Sequence, residues 1–202
     1  ASFGIGDFYD MKLMIDWLNL TNQRILQILP INDTTATETW LDSYPYNAIS
    51  IYALHPIYLN LEGMGSLKDK KRTLFFKEEQ KALNSLEQID YERVFRTKMQ
   101  YCRELYSKDE RACLQSTEFL TFFENNKEWL IPYAAFSFLR DKYKTSDFRS
   151  WSELSAYNQK EVETLCHPSN AWYSDIAFYY YLQFHLHQQL AEVRNYAHNK
   201  GV

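Results

Sequence analysis

The sequence predicts an α/β fold that is predominantly α-helical in the residues present. Three observations point there. A helical pattern near the start runs into a short apolar stretch, residues 68 to 166 hold one proline and no glycine, and a long periodic segment closes the chain. Helix followed by a short buried-type strand is the grammar of layered α/β folds, while a long tract without helix breakers argues for added helix.

In chain order, Asp7 can cap a helix whose Phe8, Met11, Met14, Ile15 and Leu18 recur at three-to-four-residue spacing, with Asn22 as its stop. "RILQILPIN" follows, an Ile/Leu run to Pro30 whose length suits a strand buried on both faces. Residues 31 to 50 then lie beyond the strand's carboxyl end, where α/β folds collect ligands. They mix Asn32, Asp33, Asp42, Ser43 and several threonines with Trp40, Tyr44 and Tyr46. A pyranose has a weakly apolar C–H face and a rim of hydroxyls, so flat rings beside amides and carboxylates suit a sugar. A plainer reading is that Tyr44, Pro45 and Tyr46 form a stiff turn whose rings fill a crevice.

"AISIYALHPIYLNL" is apolar again, with Pro56 breaking any helix, and "EGMGSLKD" reads as a loop. In the helical tract, Phe119, Phe122, Phe123, Trp129, Leu130, Tyr133, Phe136 and Leu139 suit packed helix faces, with Pro132 expected near a helix start. In the last helix Trp172, Ile176, Tyr179, Leu182, Leu186, Leu190, Val193 and Ala197 form a single stripe ending at Gly201.

Charge and motif arithmetic narrow the function. Twenty-two basic against 26 acidic residues give −4, and no long run of one sign exists to bind a phosphate backbone, so nucleic acid is not an expected partner. No run approaches the roughly 20 apolar residues that span a bilayer, so no membrane is expected. Cys102, Cys113 and Cys166 lack metal or disulfide spacing, which suits a reducing cytoplasm. His185 and His187 sit two apart, on different helix faces, and "GIGDF" lacks a dinucleotide fingerprint. No metal or cofactor is expected. With 17% aromatic residues, some are expected to serve recognition.

Four stretches, "GIGDFYDMKLMIDWL", "QILPIND", "WLDSYPYNAISIYALHPIYL" and "WLIPYAAFSFLRD", resemble the 4-alpha-glucanotransferases, the amylomaltases or disproportionating enzymes. "DSYPY" with "ALHPIYL" is most similar to the branch of the plant cytosolic enzyme and its bacterial counterparts. The strong motifs cover residues 3 to 61. The resemblance implies a (β/α)8 barrel with helical insertions and the transfer of α-1,4-glucan segments between maltooligosaccharides by a retaining, two-carboxylate mechanism.

On that resemblance the chain is expected to be a fragment: residues 1–62 an early barrel segment, 63–168 a helical insertion, and 169–202 a barrel helix leading to a further strand. The family's catalytic carboxylates would follow Val202, and the fragment alone would be inactive and prone to self-association. What carries over is the loop. Tyr46 matches the tyrosine that stacks beneath the donor sugar; Asp42, Ser43 and Asn47 would orient that ring or bond hydroxyls; Trp40 and Tyr44 would extend the platform. A non-catalytic helical glucan-binding or protein-interaction module, and a hydrolase of the same clan, are the alternatives.

Overall fold

The computed structural model describes residues 2–202. Six helices carry it: α1 (Asp10–Leu20), α2 (Lys70–Asn84), α3 (Tyr91–Leu114), α4 (Thr117–Tyr143), α5 (Gln159–Leu165) and α6 (Tyr173–Lys200).

Local chemistry starts and stops them. Asp69, Asp90, Ser116 and Asn158 each accept a backbone N–H in the first turn of α2, α3, α4 and α5, satisfying donors that have no intrahelical partner. At α1 the expected cap is displaced: Asp7 Oδ1 accepts from Tyr9 N and Asp10 N at 3.0 and 3.2 Å, so it organises the turn before the helix. Asn22, at φ 57°, closes α1, with Asn22 N bonded to Asn19 O and Gln23 N to Leu18 O. Gly201, at φ 73°, closes α6 with the same pair of bonds.

The central element is α6, which packs against α1, α3 and α4. Every residue from Ile176 through Phe184 is buried. The expected single stripe is therefore corrected: this half of α6 is covered all round, and Tyr180 and Tyr181 pack as deeply as Tyr179. Each full burial of a Leu or Phe here contributes about 1.5–3 kcal/mol. The aromatics of α4 meet those of α6 edge-on, Phe119 against Phe184 at 5.5 Å and Phe123 against Tyr180 at 5.2 Å. Pro132, expected at a helix start, lies inside α4. The flanking apolar residues are held on α6, and that packing outweighs the lost backbone bond. Two Arg–Glu forks, Arg72–Glu104 and Arg93–Glu79, join α2 to α3.

The expected strand at 24–30 is absent, and among the described residues the fold is helical with irregular connections. A strand needs a ladder, and here only Asn32 pairs, in an isolated antiparallel bridge with Leu54 flanked by Asp33 N to Ala53 O and His55 N to Ile31 O. Ile25, Ile28 and Leu29 remain exposed, at 80%, 45% and 62%.

Residues 54–60 cross the helices through a single 3-10 turn at Pro56–Tyr58, and side chains take the place of neighbouring strands on either side of it. Gln183 Oε1 accepts from Leu54 N at 2.9 Å while Gln183 Nε2 donates to Leu54 O at 2.8 Å. Gln189 makes the same pair with Asn60, both at 2.8 Å. Between them Lys98 Nζ donates to Ile57 O and Leu59 O at 2.6 and 2.8 Å. Backbone groups that a sheet would pair are thus satisfied from α6 and α3.

Candidate functional site: an aromatic loop on a helical base

The loop from Asp33 to Ser50 is folded around two buried carboxylates. Asp42 Oδ2 accepts from Thr37 N at 2.9 Å and Glu38 N at 2.7 Å, and Oδ1 accepts from Thr37 Oγ1 at 3.0 Å. Asp33 Oδ1 accepts from Thr35 N and Thr35 Oγ1, while Oδ2 accepts from Tyr133 Oη at 2.6 Å. Thr34 Oγ1 closes the ring by donating to Asp42 O. These bonds hold Glu38 at φ 59°, a left-handed conformation a non-glycine residue adopts only when its surroundings compel it.

Helical side chains fix the loop from below. Arg140 of α4, 4% exposed, donates from Nη1 to Thr35 O at 2.7 Å and pairs with Asp141. Glu92 of α3 accepts from Trp40 N at 2.9 Å. His55 Nδ1 accepts from Ile57 N at 3.2 Å, which leaves Nε2–H to donate to Tyr91 Oη at 2.9 Å. Burial keeps that imidazole neutral by pushing its pKa down, against the pull of Asp33 and Asp42. Burial also raises the Tyr133 and Tyr91 phenols, so both stay protonated, and Tyr133 remains a donor to Asp33.

Pro45 and Tyr46 form the corner of a turn closed by Asn47 N to Tyr44 O at 3.2 Å, with proline at the position that prefers its fixed φ. The rings on this corner face solvent. Tyr46 is 63% exposed, Tyr44 61% and Trp40 65%. Tyr44 and Tyr46 form a tilted pair with centroids 5.6 Å apart. Trp40, Asp42, Ser43 and Pro45 line one side of a cleft of about 370 Å³ whose other side includes His55 and Tyr91. Tyr46 and Asn47 stand outside that lining, on the exposed corner.

The loop therefore presents rings and the polar groups of Ser43 and Asn47, while Asp42 points inward and is occupied by the loop's own donors. Within the loop the Asp33 and Asp42 carboxylates are engaged by its own donors and by Tyr133, while the exposed Glu38 carboxylate accepts no hydrogen bond from the described residues. Sequence reading placed Asp33 among the loop's polar groups and Tyr133 among packing residues, and it missed three residues beneath the loop: Arg140, Glu92 and Gln183. Two of them leave a periodicity signal. Gln183 falls in the apolar register of α6, and Arg140 directly follows the apolar run of α4.

The loop thus carries an exposed aromatic corner on a polar, braced base. The sequence profile of the 4-alpha-glucanotransferase family matches residues 1–202, and the chain belongs to that family. It is 37% identical over 204 residues to the 4-alpha-glucanotransferase DPE2 of Oryza sativa subsp. japonica, covering 98% of this chain and 21% of the relative. A 4-alpha-glucanotransferase of Chlamydia muridarum is 34% identical over 99% of this chain and 36% of its own length. One of Clostridium butyricum is 26% identical over 100% of this chain and 39% of its own. The chain thus spans well under half the length of these relatives. Among the described residues no helix is long and apolar enough to cross a membrane.

Proposed function

We propose that the protein acts in α-1,4-glucan transfer, moving segments between maltooligosaccharides by a retaining double displacement: one carboxylate forms a glycosyl-enzyme, and a second serves as acid, then base. This chain supplies the sugar shelf, and the reacting carboxylates belong to other segments of the longer enzyme. The observation that carries the reading is the solvent-facing ring of Tyr46 on a proline-braced corner, within a chain of this family. Order in the free loop lowers the entropy lost on binding. Ser43 and Asn47 bond sugar hydroxyls, Trp40 and Tyr44 extend the shelf, and Asp42 orients it from inside.

In the whole enzyme, residues 1–62 form an early segment of a (β/α)8 barrel, 63–168 a helical insertion and 169–202 a barrel helix. The exposed Ile25, Ile28 and Leu29 support this, being residues that sheet neighbours would cover. The same residues favour self-association of the chain by itself. A cytoplasmic setting is supported by the three cysteines, all free thiols.

The test feeds maltotriose to the full-length protein and follows glucose and longer maltooligosaccharides. Tyr46→Ala slows transfer by at least about tenfold with thermal stability unchanged. A variant as fast as its parent removes the stacking role, and glucose without longer chains makes the enzyme a hydrolase.

A further inference from the structure

A second surface of related chemistry lies past the end of α4. Residues 144–158 leave α4 through Lys144, at φ 56°, and fold back over it. Trp151 stacks on Tyr143 at 6.0 Å and 17°, and Tyr143 Oη meets Ser152 Oγ at 2.5 Å. Beyond them an open cleft of about 780 Å³ runs along residues 152–165. Tyr157 forms its wall and is 71% exposed; its ring stacks on no described residue and its hydroxyl bonds none.

Around it stand polar groups with no partner of their own. They are the Ser155 hydroxyl, the Lys160 ammonium, the Glu161 carboxylate, and the amide nitrogen of Asn158, whose Oδ1 alone is used, on Glu161 N. Leu154, on the same wall, is held at φ 53°, a conformation rarely adopted by a branched apolar residue. Tyr157 and Leu154 also border an apolar hollow of about 160 Å³ that Phe136 and Trp151 line, so one edge of the tyrosine meets apolar surface while most of the residue stays in solvent. A bare ring beside hydroxyl, amide and carboxylate groups is the composition that binds a pyranose.

We propose that the cleft around Tyr157 is a second α-glucan site, which holds part of a long chain away from the Tyr46 shelf. The choice of glucan rests on the function proposed above. Both surfaces stand on α4, since Arg140 holds the first loop through Thr35 and Tyr143 holds the second segment through Ser152. A chain long enough to touch both gains affinity from the second contact without a change in the first.

The experiment uses the full-length protein carrying Tyr46→Ala, in which the first shelf is silenced, and measures maltoheptaose binding by calorimetry. Adding Tyr157→Ala weakens binding about threefold to tenfold, while Tyr157→Trp retains it. In the protein with Tyr46 intact, Tyr157→Ala leaves maltotriose transfer unchanged. Equal maltoheptaose affinity with and without the Tyr157 ring, or no binding in the Tyr46→Ala background, overturns the proposal. Binding through Tyr157 in a protein that transfers no glucan would instead overturn the assigned reaction and leave this site standing.

Discussion

Gln183 and Leu54, separated by 129 positions, exchange two hydrogen bonds as two paired strand residues would: the Gln183 amide accepts from Leu54 N and donates to Leu54 O. The pair is fully buried on the glutamine side, at 0% exposure, and it ties the segment after the aromatic loop to the middle of α6.

Gln183→Leu leaves a buried N–H and a buried C=O of Leu54 without partners. The expected loss is about 2–4 kcal/mol, since each unsatisfied buried group costs about 1–3 kcal/mol. Urea unfolding checks it, and a loss below about 1 kcal/mol would mean that the segment finds other partners.

Lys98 gives a pH signature. Burial lowers its pKa from 10.5 to about 8, so between those values the unfolded chain binds more protons than the folded one. The stability of the parent relative to Lys98→Met should therefore rise as pH goes from about 8 to 10.5 and level off beyond. The subtraction removes the tyrosine titrations common to both proteins. A flat difference across that window would show that the ammonium is not desolvated.

His185 acts at the acid end. Burial lowers its pKa from 6.5 to about 4, and its Nε2 has no hydrogen-bond partner. The unfolded state protonates first as pH falls through 6.5, so stability declines from there to about pH 4, by roughly 3 kcal/mol from this group. Burial lowers the His55 and His187 pKa values too, which steepens the slope. His185→Gln should flatten part of it in thermal melts across pH 4–7; an unchanged slope would place the effect elsewhere.

Asp42→Ala removes the acceptor for Thr37 N, Glu38 N and Thr37 Oγ1. Glu38 then relaxes from its left-handed conformation and the shelf loses its base. In the full-length protein KM for maltotriose should rise about tenfold or more, for a loss of roughly 1–3 kcal/mol in loop order. Asp42→Asn keeps one acceptor oxygen and should fall between the two. Unchanged kinetics in Asp42→Ala would mean that the loop is held from the helices alone.

Local signals located much of the fold. The left-handed stops Asn22 and Gly201 mark the ends of α1 and α6 because they satisfy backbone groups within one turn, and such chemistry needs no distant partner. The proline corner at Tyr44–Asn47 was legible for the same reason.

What the sequence by itself determined, then, is that helix dominates residues 68 to 166, where α1 and α6 stop, that the chain turns at Pro45, and that a patch of rings sits on a polar loop. Tertiary structure decided the rest. It left residues 24–30 without a ladder, because a strand exists only by virtue of its neighbours. It buried α6 on every side, carried Pro132 through α4, and turned Asp42 inward while Tyr46 stayed outside. It also drew Gln183, Lys98, Tyr133 and Arg140 onto backbone far away in sequence. Desolvated polar groups must find partners wherever the packing places them, and that placement is a property of the whole fold and not of any window of residues.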